Sequence, residues 1–335
     1  MDLPRVPTFS FTIPSVHDER HLECRLYVPH KTIESTSSWA TRGAIVAHPY
    51  APLGGCFDDP IVSFIGGELL QAGYVVGTFN FRGAGNSDGR TSWTAKPELG
   101  DYVSFYGFML HYLHALNTAF TSKRTVASDG ELGSEAVVGS DNRVQLVLGG
   151  YSFGSLIASH VPDLDVMVDL FGTGTASSTS PIYAIGNEAR KFAARSMRHV
   201  QPSRADGRAD DLKFPRGATA ISYLLVSPLL PPVSQLLTLF TALTVTVQGQ
   251  TSDQARPAGR PADQLSAHRT LALYGDQDTF TSARKLQRWS AELAHLPQSQ
   301  FRGCQIDGAG HFWREKGVET RARQALLEWL QMGSS

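Results

Sequence analysis

The run VQLVLGGYSFGSLIAS, residues 144–159, constrains the fold of this chain more than any other stretch. An apolar, partly β-branched run (Val144, Leu146, Val147, Leu148) reaches Gly149-Gly150. Ser152 follows between Tyr151 and Phe153, and Gly154 opens a second apolar run, Leu156-Ile157-Ala158. That order reads as strand, tight turn and helix. The turn has the form G-x-S-x-G, from Gly150 to Gly154. A turn this sharp strains the serine backbone and leaves room only for hydrogen two residues to either side. The serine oxygen then projects beyond the sheet end. The next backbone N–H, that of Phe153, points to where charge develops if the serine attacks a carbonyl.

The pentapeptide alone decides nothing, because Gly85-Asn86-Ser87-Asp88-Gly89 has the same form. That copy follows an apolar run at 74–81, but Arg90-Thr91-Ser92 comes next and no apolar helix follows. Ser87 therefore reads as a turn residue in a polar loop, and Ser152 as the candidate nucleophile.

Strands and helices alternate along the chain. Residues 8–13 and 21–28 read as a hairpin, and 32–41 as a Ser/Thr-rich loop. A short buried strand at 43–47 ends at His48-Pro49-Tyr50-Ala51-Pro52-Leu53-Gly54-Gly55. A helix is expected at 61–72, with apolar positions at Ile61, Phe64, Ile65, Leu69 and Leu70. A strand follows at 74–81, then the loop 82–89 and an amphipathic helix at 101–116. Residues 121–142 are polar throughout and read as an exposed insertion. Beyond the 144–159 unit, 165–171 is a short apolar run and a helical stretch lies near 187–197. A buried strand is expected at 221–226, an apolar stretch with partial helical spacing at 233–247, and a Pro/Gly/Gln-rich loop at 248–261. Strands at 270–274 and 301–306 bracket a helix at 282–296, and a helix at 319–330 closes the chain. This alternation implies an α/β fold with a mostly parallel central sheet and helices on both faces.

With 335 residues, 41% of them hydrophobic, the chain can bury a sizeable core. Its net charge of −1 and lack of a Lys/Arg cluster argue against nucleic acid as a partner. Cys24, Cys56 and Cys304 lack metal-type spacing and read as free thiols, two of them in expected strands. The start, MDLPRVPTFSFTIP, has no basic-then-apolar pattern of a signal peptide. The longest apolar region, 221–247, is broken by Pro228, Pro231 and Pro232, so no stable membrane insertion is expected. A cytoplasmic protein acting on a small molecule is the expectation.

A serine hydroxyl needs an adjacent base, itself oriented by a third group. On an α/β sheet these groups lie on loops at the carboxyl ends of strands, in chain order serine, acid, histidine. His311, in Gly308-Ala309-Gly310-His311-Phe312 after the last expected strand, is the candidate base. Asp276 and Asp278 both follow the strand at 270–274, and one of them could merely cap the next helix. The pattern favours Asp278, with Asp165, Asp169 and Asp307 as fallbacks. The second oxyanion donor is expected from the loop after 43–47, where prolines lack an N–H. That leaves Tyr50 or Ala51, with Tyr50 preferred. His48 precedes Ser152 in the chain, which favours a packing or loop-ordering role.

Taken together, His48-Pro49, Asn80-Phe81-Arg82-Gly83-Ala84-Gly85-Asn86-Ser87-Asp88-Gly89, Gly-Tyr-Ser-Phe-Gly, Gly275-Asp276-Gln277-Asp278 and Gly310-His311 resemble the α/β-hydrolase superfamily. The pairing of HP-x(5)-GG with NFRGxGxSxG is similar to the serine-hydrolase group near dienelactone hydrolases and serine aminopeptidases. The resemblance spans roughly residues 43–330 and places the acid at Asp278. Two departures stand out. The family's usual His-Gly is His48-Pro49 here. Dienelactone hydrolases use a cysteine nucleophile, so their substrate does not transfer to Ser152.

The expectation is a single α/β-hydrolase domain over 1–335, with cap segments at about 172–217 and 233–261. Ser152, His311 and Asp278 are its candidate triad, and the Phe153 and Tyr50 N–H groups its oxyanion donors. Leu239 and Phe240, on an apolar helix within 233–247, are candidates for lining the pocket. An ester or thioester of a small apolar molecule is the expected substrate, with no metal or organic cofactor implied. Two alternatives use the same residues: acyl transfer or cyclisation in a biosynthetic pathway, and a catalytically silent binding protein.

Overall fold

The computed structural model describes residues 1–29, 39–128, 143–172, 177–200, 217–239, 242–245, 247 and 256–333. Its main strands are β1 (Phe9–Pro14), β2 (His21–Tyr27), β3 (Arg42–Ala47), β4 (Val75–Phe79), β5 (Val144–Tyr151) and β6 (Thr219–Val226). A small pair, β7 (Thr244–Val245) and β8 (Arg256–Pro257), precedes the last two strands of the main sheet, β9 (Arg269–Gln277) and β10 (Phe301–Gly310). The main sheet runs β1-β2-β4-β3-β5-β6-β9-β10. Within this sheet only β1–β2 and β2–β4 are antiparallel, and its other pairings are parallel.

β5 sits at the centre, paired along its length with β3 (Arg42↔Gln145 to Ala47↔Gly150) and β6 (Val144↔Thr219 to Tyr151↔Val226). A parallel strand buried on both faces reads as a near-continuous apolar run, as residues 144–148 do. Alternation divides β3 between two cores: Ile45 and Ala47 join one apolar cluster, Ala44 and Val46 the other.

Helices α1 (Pro60–Gln71) and α9 (Val318–Met332) cover the second face. α1 starts where Asp59 accepts from the Ile61 N–H at 2.8 Å and Pro60 takes the first helical position. Helices α2 (Lys96–Ser128), α3 (Phe153–Ser159), α4 (Leu164–Phe171) and α5 (Pro181–Val200) cover the first face, and three further α-helices are described. These are α6 (Val233–Leu237), α7 (Pro261–Ala267) and α8 (Ala283–Ala294).

Three expectations change. α2 begins at Lys96 and continues to Ser128, so part of the stretch expected to be a loop insertion is helical. Propagating an established helix costs little even without an apolar stripe. The end of that insertion, 129–142, and most of the loop at 32–41 lie outside the described residues.

The apolar segment 233–247 is not one helix. α6 stops at Leu237, Leu239 adopts φ +45°, and Thr244–Val245 pairs with Arg256–Pro257. Leu236 and Leu239 are exposed, whereas Leu243, Val245 and Val247 join the main core. An apolar run thus divides between core and surface instead of forming a helix covered on several sides. In the first cap segment, the described helix α5 packs into the main core. Phe192 meets Phe9, Phe11 and Phe108, and Ser196 bonds the Tyr112 hydroxyl at 2.7 Å.

The last two strands also outrun their expected ends. β9 carries Asp276 and β10 reaches Gly310, with a register shift between Ile306 and Gly310. A Cβ on Gly275 would lie 1.8 Å from the Ala309 carbonyl oxygen, so glycine lets the strands stay close here. All three cysteines are free thiols. Among the described residues, no helix is long and apolar enough to cross a membrane.

Candidate active site

The turn after β5 has the strain its sequence implies. Ser152 lies at φ +54°, ψ −112°, outside the regions that non-glycine residues ordinarily occupy. A Cβ on Gly150 would sit 2.4 Å from the carbonyl carbon of Gly154, and one on Gly154 would sit 2.4 Å from the oxygen of Ala47. Both glycines are therefore fixed by contact with backbone. The Ser152 N–H donates to the Val226 carbonyl at 2.8 Å, tying the turn to the end of β6.

Ser152, His311 and Asp278 converge from the carboxyl ends of β5, β10 and β9, and all three are buried. Ser152 Oγ lies 2.8 Å from His311 Nε2, and His311 Nδ1 lies 2.7 Å from Asp278 Oδ2. The other carboxylate oxygen, Oδ1, accepts the N–H groups of Phe280 at 2.8 Å and Thr281 at 3.0 Å, which fixes the plane of the acid. Asp276 turns elsewhere: its Oδ1 accepts the Gly308 N–H at 2.6 Å and braces the approach to His311. Asp165 and Asp169 fall on α4, away from these strand ends, and Asp307 Oδ1 accepts from the Gln305 side chain at 3.0 Å.

Residues without a local sequence signal complete the histidine's surroundings. The Tyr151 hydroxyl donates to the His311 carbonyl at 2.8 Å, and the Phe280 ring centroid lies 4.3 Å from that of the imidazole. Glu315 accepts the Gly310 N–H at 3.1 Å. Trp313, at φ +53°, donates to Ser227 at 2.9 Å. Apart from the Glu315 bond, five residues along the chain, these contacts join residues far apart in sequence, where only the aromatic neighbours of Ser152 and His311 give a local signal.

The loop after β3 closes on itself. Leu53 and Gly55 N–H groups donate to the Tyr50 carbonyl at 3.0 and 3.2 Å, and a Cβ on Gly55 would strike the Pro49 oxygen at 2.2 Å. The Tyr50 ring packs edge-on against Phe153, with centroids 5.2 Å apart, so this loop packs against the residue that follows Ser152. His48 is fully committed. The Phe81 N–H donates to its Nε2 at 2.9 Å, so the ring proton resides on Nδ1, which donates to the Pro49 carbonyl at 2.6 Å. Burial lowers its pKa to about 4. With both nitrogens occupied, His48 orders the loop.

The second G-x-S-x-G is part of the scaffold. Ser87 Oγ donates to the Asn80 carbonyl at 2.7 Å and accepts the Glu23 N–H at 2.9 Å. The Asn80 amide bridges the Phe57 N–H and the Glu23 carboxylate, and Arg82 forks onto Asp101 with bonds of 2.6 and 2.9 Å. The Asn-Phe-Arg-Gly run thus ties the β4 loop to β2 and α2.

Of the pocket candidates, Leu239 is exposed beyond the carboxyl end of β6, and Phe240 lies outside the described residues. Among the described residues, no group of three His, Cys, Asp or Glu side chains is placed to hold a metal ion.

No family model matches the sequence, and no curated protein matches it either. Solved structures align along nearly the whole chain. An α/β serine hydrolase homologue from Coxiella burnetii is 16% identical with a TM-score of 0.48, over 97% of this chain and 98% of its own. A serine hydrolase without a lid from Xanthomonas campestris is 15% identical with a TM-score of 0.46, over 99% and 97%. An esterase from Pyrococcus furiosus is 12% identical with a TM-score of 0.45, again over 99% and 97%. The chain's own geometry identifies its fold. The strand order, the strained serine turn after the central strand, and the acid and histidine after the last two strands are those of the α/β-hydrolase fold.

Proposed function

We propose that the protein is a serine hydrolase acting on carboxyl esters or thioesters through an acyl-enzyme. The observation that carries this reading is the buried, continuous relay from Ser152 Oγ through His311 to Asp278. Asp278 keeps the ring proton on Nδ1, so Nε2 is free to accept the serine proton. Oγ then bonds to the substrate carbonyl carbon, and the charge on oxygen falls to the N–H groups of Phe153 and Tyr50. When the tetrahedral species collapses, the bond to the leaving alcohol or thiol breaks and Nε2 returns the proton to it. Water repeats the sequence: His311 takes its proton as the water oxygen bonds to the acyl carbon, then the acyl carbon–Oγ bond breaks, Nε2 returns the proton to Ser152 and the acid leaves. Leu239, exposed on the segment that follows β6, is our candidate contact for an apolar acyl group.

The test is labelling with a fluorophosphonate, followed by turnover of a series of p-nitrophenyl esters. Labelling at Ser152, its loss in Ser152→Ala and turnover in water are expected. Labelling without turnover, restored by a competing alcohol or amine, would instead indicate acyl transfer. No labelling of folded protein would leave only a binding role. Leu239→Ala should reduce selectivity for longer acyl chains, each buried methylene being worth about 0.8 kcal/mol.

A further inference from the structure

The triad occupies one end of the parallel strands. At the opposite end, where β5, β6 and β9 begin, lies a cavity of about 420 Å³. Its walls include Tyr74, Arg143, Gln145, His268, Arg269 and Gln300, and none of its described lining residues is acidic. Buried or half-buried cations are normally paired, so the half-buried guanidinium of Arg269, on a cavity with no carboxylate among its described lining residues, calls for a counter-ion.

Arg269 is the distinctive member. Arg25, Arg82 and Arg323 have carboxylate partners (Asp58; Asp101 and Asp18; Glu68, Asp2 and Glu319), which hold each guanidinium above its ordinary pKa despite burial. Arg269 shifts the other way: burial lowers it, and only the Tyr74 phenol opposes the shift. Its guanidinium lies over the Trp329 ring, 4.1 Å from the centroid, and its Nη2 is buried without a hydrogen-bond partner. Arg42 lies 5.4 Å from the centroid of Tyr74, and its Nε is likewise buried and unpartnered. Asp163, an exposed residue, acts on His268, not on Arg269.

Buried donors without acceptors are costly and rare in native proteins. An oxyanion supplies two acceptors in the spacing a guanidinium edge presents. We infer that this cavity is a binding site for a small oxyanion, a phosphate or carboxylate group of a small molecule, with Arg269 as its principal anchor. The volume lies within the range of small-molecule sites. From Gln145 to Ser152 the strand advances about 23 Å, so an anion here leaves the serine chemistry untouched and the inference stands apart from the proposed hydrolysis.

Thermal unfolding of the full chain tests it, in phosphate or citrate against sodium chloride at equal ionic strength. A ligand that binds only the native state raises the midpoint saturably. That rise is expected in the wild type, with apparent affinity at least about tenfold weaker in Arg269→Gln and unchanged in Lys316→Gln. A response to phosphate alone assigns a phosphorylated ligand, and one to citrate alone a carboxylated ligand. A second measurement needs no variant: either anion should protect Arg269, but not Arg314, from phenylglyoxal, read by mass spectrometry. No saturable rise, an equal rise in folded Arg269→Gln, or no protection of Arg269 overturns the inference.

Discussion

The carboxylate of Asp278 holds His311 Nδ1 through one oxygen and two backbone N–H groups through the other. An asparagine there can present its amide N–H to the imidazole and stabilise the wrong tautomer, with the proton on Nε2. Asp278→Asn should therefore leave substrate binding nearly intact and lower turnover by about four orders of magnitude. Asp276 bonds the Gly308 N–H, a contact that an asparagine oxygen can keep. Asp276→Asn should cost about 1 kcal/mol of stability and change turnover much less than the same substitution at 278. Steady-state kinetics of the two variants decide between them, and the larger loss at Asp276 would reverse the roles. Ser87 offers a complementary check, because its hydroxyl serves two backbone groups in the scaffold. Ser87→Ala should cost about 1–3 kcal/mol in urea unfolding and keep fluorophosphonate labelling at Ser152.

At the scale of elements, the serine turn is a contact between backbones. The space for a Cβ on Gly154 is already filled by Ala47 and His48 carbonyl oxygens. These belong to β3 and its loop, so relief would have to move the loop bearing Tyr50. Gly154→Ala should destabilise the fold by about 3 kcal/mol or more. Gly54 has φ +90° but open space around it, so Gly54→Ala should cost only the left-handed strain, about 1–2 kcal/mol. Chemical denaturation of both variants separates steric from conformational cost; equal losses would remove the steric argument. The same elements explain what was legible. β3, β5 and β6 are buried on both faces and announce themselves as apolar runs, and the serine, acid and histidine follow strand ends in the required order. Residues 233–247 are equally apolar, but composition cannot say that Leu243 and Val245 go to the core while Leu236 and Leu239 face outward. The left-handed backbone at Leu239 that separates them has no glycine or asparagine to signal it. The Asn80, Arg82 and Glu23 network was hidden for another reason: its bonds span 19 to 63 residues, beyond any local window.

At the scale of the whole molecule, the fold buries histidines without charging them. Burial lowers His48 and His114 to about 4 and His111 to about 3, and His17, His160 and His268 also fall below their ordinary value. Between about pH 4 and pH 6.5 the unfolded chain therefore binds more protons than the folded one, and stability must rise with pH across that window. Paired carboxylates such as Asp18, Glu23 and Glu68 are lowered too, but their contribution is complete above the ordinary carboxylate range and is lost only below it. Asp59 and Glu98, raised by burial, act in the opposite sense and offset part of the histidine effect. Near pH 4.5, His48, His111 and His114 should each remove about 2 kcal/mol of the stability present at pH 7. Urea midpoints measured from pH 7 to pH 4.5 should fall steadily. His114→Gln, which can keep the bond to Thr219 without a titrating ring, should flatten the slope by at most about 1.4 kcal/mol per pH unit. A midpoint that stays constant down to pH 5 would mean that these rings are hydrated or charged in the folded protein. It would also free His48 to leave the Pro49 carbonyl, undoing the loop order on which the Tyr50 N–H depends.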